Sequence, residues 1–516
     1  MSSSKRILAL AVALLMLLPV FSSCAGTDDP KPSDNTTPSA ETTAAPDGDE
    51  TTEPVDDFYA DRNNAKDGLP EKMDFGGQDI RILIPTSSGD RLNNIMFFAE
   101  SSTDVIEEAI YRRNEIVCDR LNVKMVNMSA GTASETDDDI KDRIRVSVSS
   151  FSDDYDLIKT YSDLMMEGYF LEITNLDYVD WDAPWWNQSY REAATVNGRL
   201  YKTMGELSLA NTSSAGLVFF SKQLMQDLYG DTDLYQVVRD GNWTLDKMAE
   251  MCDGVYYDNN GDGLVDENDR FGNVVAYKGD QKDAIRGGAN LTYAKFDEEN
   301  GYYVWALENE RTSSFFTKCQ KLLYTGNRTL NYEGTYKATP REYIGKLMEN
   351  TALFTYGTMG TTEYMREMPD PGFGIVPAPK LDEAQENYTA ASVNYDGFSI
   401  PTTCQAEDAV GAFMEAASAQ NYRTVTPAYF DTAVKAKYTR DEESAEMLDI
   451  IVASMTNDVI HVLCDYFEFN SVIVVETILS TEKNLSRGMS MVAKQAKSVN
   501  QKLQDLPDLI LTIGVE

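Results

Sequence analysis

The chain has 516 residues with 84 Asp or Glu, 45 Lys or Arg and one His, so its formal net charge is −39. Nucleic acid and anionic membrane surfaces are repelled by such a charge, which excludes them as partners and favours a neutral or cationic ligand. The single imidazole, His461, lies in an apolar stretch typical of a core residue. Most Ser-His-Asp, Cys-His and multi-His metal chemistry is therefore excluded.

The N-terminus predicts an export signal over residues 1–23. Lys5 and Arg6 precede the apolar run 7–20. A run of about 14 residues is shorter than the roughly 20 needed to span a bilayer, so the segment is a signal peptide rather than a membrane helix.

Cys24 follows two small residues at the end of this signal. The segment Val20-Phe21-Ser22-Ser23-Cys24 resembles the lipobox of bacterial lipoproteins, although Phe21 stands where that motif usually has Leu. The resemblance implies that Cys24 receives a lipid, including a palmitate chain, before cleavage. A plain signal peptide with an incidental cysteine is the alternative.

Residues 24–67 are predicted to be a disordered, acidic, Thr- and Pro-rich linker. The part up to about Asp57 contains mostly Thr, Pro, Ser, Ala, Asp and Glu. Such a composition buries too little apolar surface to offset the entropy cost of ordering. A flexible, self-repelling segment of this kind suits the space between a lipid anchor and a folded body, which favours lipidation.

Residues 68–516 have ordinary globular hydrophobicity, and about 450 residues suggest two lobes rather than one. The cysteines after the lipobox are widely spaced, without a Cys-x-x-Cys pair, so neither a zinc site nor a dense disulfide framework is expected. They are interpreted as small buried hydrophobic residues. These cysteines are Cys118, Cys252, Cys319, Cys404 and Cys464.

Hydrophobic periodicity predicts alternating strands and helices, which is typical of an α/β fold. The predicted strands cover residues 80–84, 123–126, 156–160, 217–220, 352–356, 374–377 and 397–401. Helices are predicted over residues 105–121 and 137–148, and the C-terminal third is predicted to be mainly helical. Tyr161 follows the third strand, and ligands of open α/β sheets bind beyond the carboxyl ends of strands.

A calcium loop is predicted over residues 258–269. Oxygen-bearing side chains fall at positions 1, 3, 5, 9 and 12 of the loop, and Gly263 stands at position 6 for the sharp turn. Position 12 is Asp269 instead of the usual Glu, which would lower affinity. The expected Ca²⁺ is structural, and the alternative is a plain Asn-, Asp- and Gly-rich turn. The predicted ligands are Asp258, Asn260, Asp262, the backbone carbonyl of Leu264, Asp266 and Asp269.

Two further patterns indicate a ligand cleft. Trp185 and Trp186 lie beside amides and carboxylates, which suits the stacking of sugar rings, although adjacent tryptophans are equally often core anchors. Residues 198–209 join the two strand-rich regions. Their glycines would permit a hinge and would place Glu206 near the cleft floor, with a surface-loop carboxylate as the alternative.

A series of weak matches in the expected order resembles the extracellular solute-binding proteins of family 1, the lipoprotein type of Firmicutes that serves sugar ABC transporters. The resemblance extends from about Gly68 over essentially the whole body. It is carried by residues 74–77, 184–187, 196–201, 241–246, 258–272, 373–380 and 437–444.

The resemblance implies a two-lobed α/β periplasmic-binding-protein-like fold of type II, whose lobes are joined by hinge crossovers. It places residues 75–204 and 352–392 in one lobe, and residues 205–351 and 393–516 in the other. It also implies that Trp243 is structural. The cleft residues that it implies are Tyr161, Trp185, Trp186, Glu206, Tyr356 and Tyr395.

The leading hypothesis is a monomeric, lipid-anchored protein at the extracellular face of the membrane. It would capture a neutral solute, expected to be an oligosaccharide, and deliver it to an ABC permease by lobe closure. No catalytic residue is assigned. A secreted glycosidase with a carboxylate pair is one alternative. A polysaccharide-binding surface module without transport is the other.

Overall fold

The structure is a computed structural model that describes residues 62–85, 96–129, 136–276, 280–331, 340–365, 372–393, 397–430, 442–468, 475–476, 479 and 485–514. The chain divides into two units, Met1–Asp56 and Asp57–Glu516, and all described residues belong to the second. Tyr395 and the signal and lipobox residues lie outside the described ranges.

The strands, in chain order, are β1 (Gln78–Leu83), β2 (Val123–Asn127), β3 (Leu157–Lys159), β4 (Gly216–Ser221), β5 (Phe271–Val275), β6 (Ala294–Asp297), β7 (Tyr302–Trp305), β8 (Thr329–Asn331), β9 (Ala352–Thr358), β10 (Phe373–Pro377), β11 (Ala390–Ala391), β12 (Phe398–Ser399) and β13 (Met455–Thr456).

The α-helices are α1 (Val105–Leu121), α2 (Asp137–Ser149), α3 (Ser162–Met166), α4 (Gln188–Ala194), α5 (Ala210–Ser213), α6 (Lys222–Tyr229), α7 (Leu234–Arg239), α8 (Leu245–Met251), α9 (Asp280–Gly288), α10 (Glu310–Tyr324), α11 (Pro340–Met348), α12 (Glu407–Gln420), α13 (Thr426–Tyr429), α14 (Glu442–Ala453), α15 (Val459–Val462) and α16 (Leu485–Thr512). A 3₁₀ helix spans Met359–Met365, and a π-helix, Asn421–Val425, joins α12 to α13.

Local sequence signals explain the first two helices. The side chain of Asp104 accepts hydrogen bonds from the first free N–H groups of α1, and Asn122 ends the helix in the left-handed conformation. Thr136 and Asp139 form a reciprocal capping box at the start of α2. The predicted bounds of α1 are confirmed, and α2 ends one residue later than predicted.

The first sheet has the strand order β12-β3-β1-β2. β1 pairs in parallel with β2 and β3, whereas β12 runs antiparallel to β3. The second sheet has the order β10-β4-β9-β5-β8. β5 pairs in parallel with β8 and β9, and β4 runs antiparallel to β9 and β10.

Four strands of the second sheet repeat the topology of the first, and β10 is an additional edge strand. In each, the order is second strand, first strand, third strand and then an antiparallel strand: β2, β1, β3, β12 in the first sheet and β8, β5, β9, β4 in the second. The antiparallel strand β12 comes from a distant part of the chain, after β10 and β11. Each sheet with its helices is one α/β lobe.

The predicted lobe boundaries are wrong for residues 352–392. β9 and β10 lie within this segment, and they pair with β4 and β5 of the second sheet instead of joining β1 and β3. Residues 398–399, expected in the second lobe, pair with β3 of the first. Strand pairing is set by contacts distant in sequence, so the spacing of short apolar runs could not assign these strands.

The predicted linker boundary is also wrong at its C-terminal end. Arg62 is buried, and the carboxylate of Asp67 lies 2.6 Å from Arg120 and 3.4 Å from Arg423. The folded body therefore already includes residues 62–67. Their polar composition resembles the preceding segment, but ion pairs with distant residues hold them in place.

Core positions agree with several sequence predictions. Trp243 is fully buried and donates its indole N–H to the carbonyl of Pro377 at 2.8 Å, as a structural residue should. Cys252, Cys319, Cys404 and Cys464 are buried, and Cys118 is partly buried. Among the described residues, no helix combines the length and apolar composition that a bilayer crossing requires.

Candidate functional site

Three chain segments run side by side where the two lobes meet: residues 213–216, 390–393 and 455–457, here called the junction. Ala215 bridges to Ser392, and β11 pairs in parallel with β13. The hydroxyls of Ser214 and Ser392 lie 2.9 Å apart. Residue 216 begins β4 of the second sheet, whereas residue 393 leads towards β12 of the first. The junction therefore holds the crossings between the lobes.

Short amide and hydroxyl side chains surround the junction. Asn187 caps the start of α4 and donates from its carboxamide to Asn211 at 2.7 Å. Two residues further along α4, the hydroxyl of Ser189 accepts the backbone N–H of Asn457 at 2.9 Å. The carboxamide oxygen and nitrogen of Asn457 are closed off from solvent and have no hydrogen-bond partner within the described part of the chain. Such groups suit a ligand rich in hydroxyls.

Trp185 and Trp186 are almost completely buried, and both indole N–H groups bind one carboxylate oxygen. Their distances to Oε2 of Glu415 are 3.1 Å and 3.2 Å. The backbone N–H of Asp180 approaches the same oxygen at 3.4 Å. The other oxygen of Glu415 is buried without a hydrogen-bond partner in the described ranges. The two tryptophans thus anchor the loop before α4 to α12.

Burial raises the pKa of Glu415 to about 7, against the opposing effect of the hydrogen bonds from Trp185 and Trp186. A carboxyl group in an apolar helix loses the water that would stabilise its charge. Glu415 is thus a buried acid that titrates near neutral pH.

Glu206 lies next to this tryptophan pair. Its backbone N–H binds the carbonyl of Trp185 at 2.7 Å. Its carboxylate accepts from Arg62 at 2.9 Å and from the hydroxyl of Thr426 at 2.6 Å. Burial raises the pKa of Glu206, although Arg62 and Thr426 act in the opposite direction. The structure therefore makes Glu206 one member of a buried ion pair.

Asn421, the first residue of the π-helix, holds the same region together from the other side. Its amide donates to the backbone carbonyl of Glu206 at 2.6 Å, and its oxygen accepts from Arg113 at 3.1 Å. Gly205 is required here because a Cβ at this position would meet the carbonyl oxygen of Trp185 at 2.4 Å. Predicted residues Trp185, Trp186 and Glu206 thus form one cluster, which is buried in the protein.

Tyr161 lies apart from that cluster. It follows β3, as predicted, and its hydroxyl donates to Asp137 at 2.7 Å. The ammonium groups of Lys141 and Lys159 lie 5.0 Å and 5.4 Å from its ring centre. Only 3% of Tyr161 is exposed, so little of its ring is accessible in this conformation.

Tyr356 is placed in the core of the second lobe, so the prediction that it lines a cleft is wrong for this conformation. It is fully buried in the middle of β9 opposite Val218, and its hydroxyl approaches the sulfur of Met248 at 3.3 Å. Burial raises its pKa well above the usual value. Both faces of β9 are covered, so the strand carries no alternation that would reveal this.

A buried charged group lies behind the junction on α9. Asp283 contacts Lys282 at 2.8 Å, Arg286 at 3.5 Å and His461 at 4.0 Å. Burial alone would raise the pKa of Asp283, but the neighbouring cations lower it. Burial lowers the pKa of His461 to about 4, so the imidazole is neutral at neutral pH. The prediction that His461 is a core residue is confirmed.

The predicted calcium loop lies between α8 and β5. Its carboxylates accept N–H groups from the loop itself: Asp258 from Gly261 and Gly263, and Asp269 from Asn259 at 3.3 Å. Within the described ranges, no three acidic, His or Cys side chains are already arranged to hold a metal ion. The donors are nevertheless hard oxygens, the type that Ca²⁺ requires, and they belong to one turn.

Desolvation and a hydrogen bond from the hydroxyl of Tyr256 to Asp269, 3.0 Å long, raise the pKa of this tyrosine to about 12. Asp258 and Asp262 act on the same hydroxyl electrostatically and in the same direction. One predicted ligand, Asp269, thus contacts the hydroxyl of Tyr256 directly, and two others act on it electrostatically.

Several residues of the site were missed from the sequence. Glu415 had a usable signal, because it is the carboxylate at the centre of an alanine-rich apolar helix. Arg62, Asn421 and Asn457 had no comparable signal, since their roles depend on partners far along the chain.

No protein-family model and no curated protein matches the chain. Several solved structures are similar to the chain. The cyclic α-maltosyl-1,6-maltose binding protein of Arthrobacter globiformis is similar at 11% identity, with a TM-score of 0.54 over 83% of this chain and 100% of that one. An ABC substrate-binding protein of Listeria monocytogenes, in complex with cycloalternan, has 11% identity and a TM-score of 0.53 over 82% and 98%.

The galacto-N-biose and lacto-N-biose I-binding protein of the Bifidobacterium longum ABC transporter is a third similar structure. It has 10% identity and a TM-score of 0.52 over 83% of this chain and 98% of that one. At such identities the likeness concerns the fold. The chain therefore has the two-lobed α/β fold found in sugar-binding proteins of ABC transporters.

Proposed function

We propose that the protein captures a neutral oligosaccharide between its two lobes and delivers it to an ABC permease. The single observation that carries the proposal is the pair of sheets with a shared four-strand topology, joined by crossing segments at the junction. Two lobes connected in this way can close on a ligand, and ligand binding shifts the equilibrium towards the closed form. The similar structures are described as binding sugars, which supports the choice of ligand class.

The chemistry of the junction supports a neutral, hydroxyl-rich ligand. Asn187, Ser189, Asn211 and Asn457 provide hydrogen-bond donors and acceptors without formal charge. The net charge of −39 disfavours an anionic solute. The buried carboxyls Glu206 and Glu415 are each engaged with the chain itself, which favours a binding protein over a glycosidase that uses this pair.

The test is calorimetric titration of the purified folded body with cycloalternan, cyclic α-maltosyl-1,6-maltose, lacto-N-biose and linear maltotetraose. Binding of at least one glycan, with a smaller radius of gyration in small-angle X-ray scattering, is the expected result. Binding to none of them, and to no peptide or polyol, would exclude the proposed ligand class. Reducing ends released from a polysaccharide would instead favour the glycosidase.

Lipid attachment at Cys24 is part of the same proposal, because a tether keeps the binding protein near its permease. The sequence around Cys24 and the Thr- and Pro-rich segment after it support the tether. Replacing Cys24 with Ala should release the protein from the membrane fraction and abolish labelling by a palmitate analogue. A Ser22→Ala variant is the matched control and should remain membrane-bound. An unlabelled wild-type protein would contradict lipidation.

The loop 258–269 is proposed to bind one structural Ca²⁺. The donor spacing of the loop supports this proposal, as do the electrostatic effects of Asp258, Asp262 and Asp269 on the hydroxyl of Tyr256. The ion would be held by Asp258, Asn260, Asp262, Asp266 and Asp269 together with the carbonyl of Leu264. It would neutralise carboxylates that otherwise repel one another, and would thereby stabilise the connection into β5.

A further inference from the structure

Asn457 occupies a special place at the junction. It follows β13 directly and precedes Asp458, whose carboxylate accepts the backbone N–H of Tyr293 at 2.7 Å in the second lobe. Its own backbone N–H binds Ser189 on α4, which belongs to the first lobe. The residue is therefore held from both lobes, and its backbone has little freedom to move independently.

Within the part of the chain that the structure describes, the side chain of Asn457 has no comparable support. Neither its carboxamide oxygen nor its nitrogen finds a hydrogen-bond partner among the described residues, and both atoms are closed off from solvent. Buried polar atoms in folded proteins are nearly always hydrogen-bonded, because a buried donor or acceptor without a partner destabilises the fold. An amide that no described residue matches at either end requires an explanation.

Asn421 shows the ordinary arrangement in the same protein. It is also an asparagine at the lobe connection, but its nitrogen donates to the carbonyl of Glu206 and its oxygen accepts from Arg113. Its role is thus accounted for by the chain itself. The two asparagines therefore differ in their side chains: the described chain provides partners for the carboxamide of Asn421 but not for that of Asn457.

We propose that Asn457 is a ligand-binding residue, whose carboxamide pairs with adjacent hydroxyls of a sugar held at the junction. The inference rests on the proposed function. A carboxamide presents one acceptor and one donor in a single plane, which matches two neighbouring hydroxyl groups. Ser189, which binds the backbone of Asn457, and the paired amides Asn187 and Asn211 place further uncharged polar groups beside the junction.

The position of Asn457 between the lobes also links ligand binding to lobe closure. Asn457 is tied to Ser189 in one lobe, and the next residue, Asp458, is tied to Tyr293 in the other. A ligand bound by this amide would contact the segment that both lobes hold, so it would interact differently with the open and closed forms. Such a difference is what a ligand needs in order to shift the equilibrium.

The experiment compares Asn457→Ala with Asn421→Ala in the whole folded body. Thermal unfolding without ligand is expected to show a Tm for Asn457→Ala equal to or above that of the wild type, because an unmatched buried amide has been removed. Asn421→Ala should have a lower Tm, because it removes the donor to the carbonyl of Glu206 and one of the hydrogen-bond acceptors of Arg113. A drop in Tm for Asn457→Ala as large as that for Asn421→Ala overturns the proposal.

Calorimetry with the best-binding glycan of the panel gives the second readout. Kd for Asn457→Ala should rise at least tenfold, whereas Asn421→Ala should change it less than threefold at a temperature where both variants are folded. Unchanged affinity in Asn457→Ala overturns the ligand contact alone. If the wild type binds none of the glycans, both the proposed function and the contact of Asn457 with ligand are excluded. Failure of the contact alone is therefore distinguishable from failure of the proposed function.

Discussion

Arg62 and Glu206, which are 144 residues apart, form a buried ion pair with 2.9 Å between Nη1 and Oε1. The guanidinium carbon of Arg62 also lies 4.1 Å from the ring centre of Tyr422. The hydroxyl of Thr426 donates a further hydrogen bond to the carboxylate of Glu206. The first residues of the folded body are thereby fastened to the segment that leads from the first lobe to the second. Glu206, expected to contact ligand, serves this attachment in the structure.

Replacing Arg62 with Met should destabilise the protein strongly, because the carboxylate of Glu206 would remain buried without its cation. Removal of one partner of a buried pair typically costs about 3–5 kcal/mol. Urea unfolding measures the loss, and the double variant with Glu206→Gln should recover part of it.

The exposed ion pair of Arg191 with Asp182, at 2.7 Å, is the matched control. Arg191→Met should cost less than about 1 kcal/mol, since solvent already screens that pair. If Arg62→Met costs no more than Arg191→Met, the buried pair is not a stabilising element. A large loss of glycan affinity in Glu206→Gln, without loss of stability, would restore Glu206 as a ligand contact.

Tyr356→Phe tests the placement of Tyr356 in the core. The change removes only the hydroxyl that faces Met248, so the free energy of unfolding should fall by less than about 1.5 kcal/mol. Glycan affinity should remain unchanged in calorimetry. Tyr356→Ala should cost about 3–5 kcal/mol through the cavity it leaves. Lost binding in the stable Phe variant would instead place the hydroxyl in the ligand cleft.

Features that depend on residues close together in the sequence are predictable from it, whereas features that depend on distant residues are not. The bounds of α1 follow from local signals: Asp104 and Asn122 define its ends, and apolar spacing defines its buried side. Strands such as β4 and β10 are visible as short apolar runs. Their partners are not, because pairing of β4 with β9 joins residues far apart in the chain. That is why the lobe boundaries were misplaced while the fold class was correct.

The same distinction applies to the site. Trp185 and Trp186 were singled out for their chemistry, and the structure does bring them beside Glu206. Glu415 lies far from these tryptophans in the sequence. It accepts a hydrogen bond from each indole N–H, and these bonds make the two side chains structural anchors. A side chain's surroundings decide between a ligand platform and a core contact, and those surroundings come from distant segments.

Calcium binding to the loop 258–269 predicts a higher Tm in the presence of Ca²⁺ than with a chelator. Tb³⁺, which replaces Ca²⁺, should also emit when tyrosine is excited, because Tyr256 contacts Asp269 directly. Asp258→Ala should abolish both effects. Asp297→Ala, at the last residue of β6, removes a carboxylate with similar backbone hydrogen bonds and should leave both effects intact. Identical melting curves with Ca²⁺ and chelator would exclude the site.

Glu415 predicts a defined dependence of stability on pH. Its folded pKa of about 7 lies above the ordinary value of 4.5, so the folded protein retains a proton that the unfolded chain releases. This contribution to stability is fully present below pH 4.5 and is lost as the pH rises to 7. At about 1.4 kcal/mol per pKa unit, the loss amounts to at most about 3.5 kcal/mol.

Glu415→Gln should remove that dependence. The variant can still accept the indole N–H groups of Trp185 and Trp186 but carries no charge, so it should be more stable than the wild type at pH 8 and nearly equal below pH 4.5. Tryptophan fluorescence of the wild type should change with a midpoint near pH 7, because both indoles touch the titrating oxygen. Glu407→Gln, at the exposed start of α12, should retain this transition. A transition that persists in Glu415→Gln would assign it to another group and would remove Glu415 as the buried acid that couples the tryptophan loop to pH.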